Sequence, residues 1–517
     1  MHNNQFGNYT PPAPPKGEIN IRIGVFFDGT QNNRSNTRAA GNEPKYYPTE
    51  EEKQKYKKYS NKEDDSYVND LSNVARKEYW YKKNDDEYVG KIYIEGIGTQ
   101  DLKGDSDKIT EHLGVAFGSG EMGVRAKVRK GCEEVVKKVV QLKKDKRVNT
   151  LTLDVFGFSR GAAAARNFVY EVHKPKYSPL TYVAPVQGAE PISTDSDGYY
   201  TELKEFPARG HLGIQLQEKN LKITTITIRF LGLYDTVSSY DPTATNKTIS
   251  PNFSNDVAEL KLNTLKAKKI IHFCASDEHR ENFMLTLTRN AGGNDFFLPG
   301  VHSDVGGCYT HNMKELNRQI MDFDNTWGDG LSDEDYNKIL NADLDHLIEQ
   351  GWFKQEEVVR PNSWHETYIN RKGISNRYSF VTLHLLAEMV NENYPSTIDF
   401  EQIEKNYKIP NGAGDEYYSL DLTKVKSRLK EYLNGAKPKM MYYTNKEIEQ
   451  FRIQLKQKKM TTERFNTIVN DHNMLMVLRN RYLHWNSRFA EIGYKPNYTL
   501  DKKNLKVTRW RRIAPDS

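Results

Sequence analysis

Residues 155–166, Val-Phe-Gly-Phe-Ser-Arg-Gly-Ala-Ala-Ala-Ala-Arg, constrain the fold of this chain more than any other segment. They hold a Gly-x-Ser-x-Gly pentapeptide, Gly157 to Gly161, between two stretches of different character. Residues 149–156 are apolar and β-branched, as in a buried strand. The alanines that follow run into Arg166-Asn167-Phe168-Val169-Tyr170 and read as a helix. Strand, sharp turn and helix around a serine is the setting of a nucleophile elbow, where the hydroxyl projects above a parallel sheet. Glycine fits where backbones approach too closely for a Cβ. The pentapeptide by itself is weak, because about one chain in ten of this length carries one by chance. Its setting gives it weight against the alternative, a Gly-rich turn that only packs.

A nucleophilic serine needs a base, and the base needs an orienting acid. In α/β-hydrolases the order along the chain is Ser, acid, His, each at the carboxyl end of a later strand. Residues 221–231 have strand composition and lead into Gly232-Leu233-Tyr234-Asp235, so Asp235 is expected just past a strand end. Asp295-Phe296-Phe297-Leu298 reads as a short strand broken at Pro299-Gly300, and His302 follows on what reads as a loop. Ser159, Asp235 and His302 are therefore the candidate nucleophile, acid and base. Among the thirteen histidines, His272 reads as a packing residue, and His346, His365, His384, His472 and His484 as structural or exposed. His311 is a weaker rival base. Asp304 is a rival acid, but two residues from the histidine it is better placed to hold the loop or a water.

The oxyanion of acyl transfer needs two donors. One is the backbone N–H after the nucleophile, on Arg160. Residues 19–27 read as an earlier strand ending in Asp28-Gly29-Thr30, which makes Gly29 and Thr30 candidates for the second. Asp28 is expected to orient that loop by accepting backbone N–H groups. A strand ending in Asp-Gly-Thr also serves phosphoryl-transfer enzymes as a metal or phosphate ligand, and that alternative stays open.

Several blocks now stand in a fixed order: Phe26-Phe27-Asp28-Gly29-Thr30, Asn73-Val74-Ala75-Arg76, Tyr93-Ile94-Glu95-Gly96-Ile97-Gly98-Thr99 and the elbow. Leu231 to Val237, His279-Arg280-Glu281-Asn282-Phe283 and Pro299 to Gly307 complete them. Together they resemble a hydrolase family that includes the first class of type VI lipase effectors, phospholipase toxins of type VI secretion systems. The resemblance spans roughly residues 19–310 and implies an α/β-hydrolase fold that cleaves glycerophospholipid esters with a Ser-Asp-His triad. The family's nucleophile, acid and base fall on Ser159, Asp235 and His302. It further implies an antibacterial toxin made in a bacterial cytoplasm and injected into the periplasm of a target cell. Its partners would be the target membrane, a spike or tube protein that carries it and a cognate immunity protein. The chain departs from the family's blocks by insertions at 34–70 and 172–220.

The 517 residues suit an α/β-hydrolase domain over 18–395, with further material at 312–373, and a mainly helical region over 396–517. A lid or a membrane- or partner-binding module is the expected role of that helical region. Residues 1–17, Pro-rich from 11 to 15 and without an apolar run, read as a disordered leader and not as a secretory signal. No stretch of eighteen apolar residues is present, so no membrane span is expected. Cys132, Cys274 and Cys308 are widely spaced, which suggests reduced thiols and neither a disulfide framework nor a zinc site. The pattern calls for no cofactor and no metal. A net charge of +6 is too mild to suggest nucleic acid. Residues 502–512 concentrate bases around Trp510 and read either as a solvated end or as a segment for anionic headgroups. The glycines of 109–123 fit no phosphate-loop spacing and read as a substrate-side loop before a helix over 124–144. Helices are also expected over 331–355 and 379–391, after a capping box at Thr444 to Glu447, and through Phe465 to Met476.

Three functions compete on this reading. A phospholipid esterase delivered as a toxin and a cytosolic α/β-hydrolase on a small ester or thioester share the triad and differ in what the helical region binds. A non-catalytic hydrolase-fold binding protein is disfavoured, because all three triad residues are present.

Overall fold

The computed structural model describes residues 9–43, 46–63, 65–105, 122–182, 192–194, 205–238, 260–322, 331–361, 365–412, 420–489, 494–504 and 506–515. Residues 1–8 of the expected leader, most of the glycine-rich stretch 109–123 and much of the 172–220 insertion lie outside them.

Six parallel strands form the central sheet: β1 (Glu18–Phe27), β2 (Val89–Ile94), β3 (Arg147–Phe158), β6 (Ile223–Tyr234), β7 (Ala267–Ala275) and β8 (Asn294–Leu298). A small hairpin, β4 (Leu180–Tyr182) and β5 (Ile192–Thr194), lies between the third and fourth of these. The sheet order is β2-β1-β3-β6-β7-β8, so the strand before the elbow sits at the centre. Parallel neighbours need crossovers, and helices cover both faces. That double covering explains why β3 reads as a continuous apolar run, buried from Leu151 to Phe158. On one face the helix Val124–Lys143 buries Val124, Val128, Cys132, Val135, Val136, Val139 and Leu142, one stripe of a 3.6-residue period. Beside it the helix Arg160–His173 lays Ala162 to Ala165 against the sheet, close enough because those side chains are small. The helices Asn73–Trp80 and Tyr378–Asn393 cover the other face.

The insertion at 34–70 carries the helices Arg34–Ala39 and Glu50–Tyr59, the second closed by a reciprocal Thr49–Glu52 capping box. Residues 313–374 build a second sheet, with β9 (Met313–Asp322), β10 (Val358–Val359) and β11 (Glu366–Ile374) antiparallel in the order β10-β11-β9. The helix Asp333–Glu349 connects two of its strands. The helices Phe400–Asn406, Leu422–Leu433 and Thr462–Arg481 do not stand apart from the sheet. Ile403, Val425, Leu429, Leu475 and Leu478 join Phe156, Phe230 and Phe273 in one apolar core. A hairpin of β12 (Tyr498–Asp501) and β13 (Lys506–Arg509) follows them. Among the described residues no helix is long and apolar enough to cross a membrane.

Candidate active site

Ser159 ends β3 and opens the helix Arg160–His173 with φ 58° and ψ −130°, a region that non-glycine residues rarely occupy. Its flanking glycines are sterically required. A Cβ on Gly157 would lie 2.6 Å from Ala162 Cα, and one on Gly161 would lie 2.1 Å from the Asp28 carbonyl oxygen. Two backbone bonds tie the turn to the neighbouring strand end: Ser159 N–H donates to Tyr234 O (3.0 Å), and Val237 N–H donates to Ser159 O (3.4 Å). Asp235 stands between those two partners with φ 42°.

His302 reaches Asp235 through Nδ1, 2.5 Å from Oδ2. Its imidazole is held between two aromatic rings, Phe158 at 4.7 Å and Phe283 at 5.0 Å. Because Phe158 adjoins Ser159, the ring contact sets the elbow and the histidine side by side. All three residues are buried. Sequence places His302 on a loop, but it begins a short helix, His302–Gly306. Asp304 causes this by accepting the Val301 N–H (3.0 Å), and Gly307, at φ 85°, ends the helix.

Burial lowers the His302 imidazole below its ordinary 6.5, although Asp235 pulls the other way. Burial alone would raise the Asp235 carboxyl. Arg511 and His302 outweigh it and hold the group well below the usual carboxylate range. At neutral pH the pair is therefore a carboxylate beside a neutral imidazole.

Asp304 does not turn toward His302. Its Oδ1 meets His484 Nδ1 (2.7 Å), and its Oδ2 accepts the Val301 and His484 N–H groups. The ring of His311 lies near Ser375 Oγ (3.4 Å). At the end of β1, Asp28 takes the Gly29 N–H on Oδ1 (2.8 Å) and the Tyr93 hydroxyl on Oδ2 (2.6 Å). Oδ1 thus serves the loop while Oδ2 holds a side chain of β2, and burial raises the carboxyl. The Gly29 N–H, expected as an oxyanion donor, points to its neighbour's carboxylate. Thr30 is joined to the elbow instead, its Oγ1 accepting from Arg160 Nε (2.8 Å).

A family model for the catalytic domain of Tle1-like phospholipase effectors of type VI secretion systems matches residues 22–327, more than half of the 517. The chain belongs to this family. The solved structure of a Tle1 effector bound to the VgrG spike from the type 6 secretion system is similar in fold. It shares 18% identity over 97% of this chain and 91% of that one, with a TM-score of 0.52. A crystal structure of an uncharacterized protein from Pseudomonas aeruginosa aligns at 15% identity over 91% and 65% of the two chains, with a TM-score of 0.33. No curated protein matches.

In this Tle1-like effector the other sequence blocks converge on the same centre. Asn73 Nδ2 donates to Val305 O (3.2 Å), on the helix that carries His302. Glu278, one residue before the His279 block and not singled out by sequence, accepts the His302 N–H (3.2 Å) and a bidentate Arg280 (3.0 and 2.9 Å). His272, expected only to pack, accepts the Thr236 N–H on Nε2 (2.9 Å) and meets Asp295 through Nδ1 (2.7 Å). His272, Cys274 and Asp295 form the metal-like cluster found among the described residues. With both ring nitrogens engaged, His272 braces the residue after Asp235 and offers no lone pair to an ion.

Sequence reasoning misses Arg511 outright. The stretch 502–512 reads as a solvated or headgroup-binding end, yet two of its arginines point inward. Arg509 pairs with Asp343 through two bonds of 2.7 Å, and Arg511 pairs with Asp235 at 2.6 and 2.8 Å. Trp510 between them stays 45% exposed, the alternation of a strand. That period-two pattern of Arg509, Arg511 and the intervening Trp510 is the signal the sequence offers.

Proposed function

We propose that this effector is a serine esterase of the phospholipase A type, with Ser159 as nucleophile, His302 as general base and Asp235 as the orienting acid. The 2.5 Å contact of His302 Nδ1 with Asp235 Oδ2, beside the strained turn of Ser159, carries the reading. An ionised carboxylate only accepts, so Nδ1 keeps the imidazole proton and Nε2 keeps its lone pair. Nε2 takes the Ser159 proton as Oγ attacks the ester carbonyl of a glycerophospholipid. The N–H groups of Arg160 and Thr30 are the proposed donors to the oxyanion. Collapse breaks the acyl C–O bond, and the lysolipid alkoxide leaves with the proton from His302. Water repeats the sequence on the acyl-enzyme and releases a fatty acid.

Family membership supports phospholipid as the substrate class, and the spike-bound relative supports delivery on a type VI spike. Damage to a target-cell membrane from the periplasmic side, with a cognate immunity protein in the producer, completes the proposal. In it residues 18–395 carry the triad, and 396–517 are not only a lid or binding module, because Arg511 reaches the acid.

The test is release of free fatty acid from mixed phospholipid vesicles by wild type beside Ser159→Ala. Release that disappears in the variant supports the proposal. Release that survives Ser159→Ala removes the serine mechanism. Cleavage of short soluble esters without lipolysis moves the chain to small-ester chemistry.

A further inference from the structure

We infer that Arg511 is a positioning residue of the active site, fixing the carboxylate of Asp235 in the plane in which it meets His302. The inference rests on the triad reading of Ser159, Asp235 and His302. Among the described residues, four donors converge on the two oxygens of Asp235. Oδ1 receives the Ala275 N–H (2.8 Å) and Arg511 Nη1 (2.6 Å), while Oδ2 receives His302 Nδ1 (2.5 Å) and Arg511 Nη2 (2.8 Å). Arg511 thus supplies half of this set and is the member that spans both oxygens. A bidentate fork of this kind fixes the plane of the carboxylate, which a single charge cannot do.

The guanidinium is itself immobilised. Its Nε donates to Phe283 O (3.0 Å) and Nη1 also to Ala275 O (3.2 Å). The flanking backbone is stitched to the segment that carries Phe283: Leu285 N–H donates to Arg512 O (2.9 Å), and Ala514 N–H donates to Leu285 O (2.8 Å). Phe283 in turn packs on the His302 ring, so one tail fixes the acid directly and the base through a neighbour.

Arg511 also balances the charge of the carboxylate that His302 meets. The titratable and charged groups around the pair are Cys274 on β7, Glu278 and Arg280 on the loop after it, and Arg511. Glu278 and Arg280 form a bidentate pair and act on the His302 ring in opposite directions. Arg511 balances Asp235, which weakens the carboxylate's hold on the imidazolium and adds to the burial that keeps the base neutral.

The experiment is a pH titration of the His302 ring by NMR on histidine-labelled protein, assigned with His302→Gln, together with kcat/KM on a soluble ester. In Arg511→Gln the His302 midpoint is expected to rise by about one pH unit, and kcat/KM to fall about 10²-fold. In Arg511→Lys the charge remains but the fork is lost, so the midpoint stays near wild type while kcat falls severalfold. An unmoved midpoint in an Arg511→Gln protein that melts like wild type overturns the inference. So does wild-type kcat in Arg511→Lys, the variant that decides if Arg511→Gln does not fold. Absence of Ser159-dependent hydrolysis in wild type would sink the triad reading instead. The histidine titration needs no turnover, so it tests Arg511 in either case.

Discussion

Asp235→Asn is expected to cost this protein stability as well as turnover, because the substitution orphans a buried cation. Only 8% of the Arg511 side chain is exposed, and two of its bonds end on Asp235. Asparagine offers one acceptor where the site has donors on both sides, and in either orientation its amide N–H2 faces the guanidinium, together with the Ala275 N–H or His302. Breaking one partner of a buried pair costs about 3–5 kcal/mol. Unfolding entropy of about 2.1 cal/mol/K per residue, over 517 residues, gives about 1.1 kcal/mol/K for one cooperative transition. The melting temperature should therefore fall by about 3–5 °C. Turnover should drop about 10⁴-fold, since the imidazole loses the partner that selects its tautomer. The two losses separate in the double variant Asp235→Asn/Arg511→Gln, where the orphaned charge is gone. Its melting temperature should recover most of the difference while activity stays lost. Scanning calorimetry and ester hydrolysis on the three proteins read both quantities. A single variant that melts like wild type, or a double variant less stable than the single, would refute the reasoning.

Gly161→Ala should destabilise by about 1–3 kcal/mol and cut kcat/KM about 10²-fold, because the new Cβ meets the Asp28 carbonyl oxygen at 2.1 Å. Thermal denaturation and steady-state kinetics check it. Asp304→Asn should lose about 1–3 kcal/mol of stability, as half of the buried pair with His484, yet keep kcat/KM within about tenfold of wild type. A dead Asp304→Asn beside an active Asp235→Asn reverses the assignment of the acid. Burial, with Arg509 adding to it at His279, depresses the His279 and His384 rings to about 4. In the unfolded chain both titrate near 6.5, so below that pH the unfolded state takes up protons that the folded state refuses. Stability present at pH 7 should therefore fall as pH drops from about 6.5 toward 4, by at most about 2.7 kcal/mol per unit for the two rings. Urea unfolding at pH 7, 6 and 5 measures the slope, and a flat profile contradicts it. With His302 as the proposed base, the midpoint of the acid limb of ester hydrolysis should lie below 6.5, because the ring's affinity for a proton is lowered by burial.

What was legible in the sequence is what short-range physics writes there. The elbow is readable because Gly157 and Gly161 answer a local clash, and the strand and helix around Ser159 differ in period. Asp235 and His302 are readable because each follows an apolar run that ends in a turn. The partners that hold them in place are not. Arg511 lies 276 positions from Asp235, and His484 lies 180 from Asp304. In both cases the pairing exists only after the helices beyond residue 396 have packed on the sheet. Likewise β9, with Lys314, Glu315, Asn317 and Arg318 in a ten-residue strand, shows no strand alternation that composition alone would reveal. Glu315 is polar there because Arg371 on β11 neutralises it from inside. The short helix at His302 depends on Asp304 capping its own turn, a bond that the flanking Pro299 and Gly300 concealed.

The distance between Asp235 and its guanidinium also has a meaning in time. On a ribosome moving at about 5–20 residues per second, roughly 15–50 s separate the emergence of Asp235 from that of Arg511. Throughout that interval the nascent chain has made Ser159 and, for most of it, His302, but not the guanidinium that spans the acid's two oxygens. The full activity of the proposed esterase should thus appear late in synthesis, so a producer's own lipids meet a weakened catalyst until residue 511 has cleared the exit tunnel.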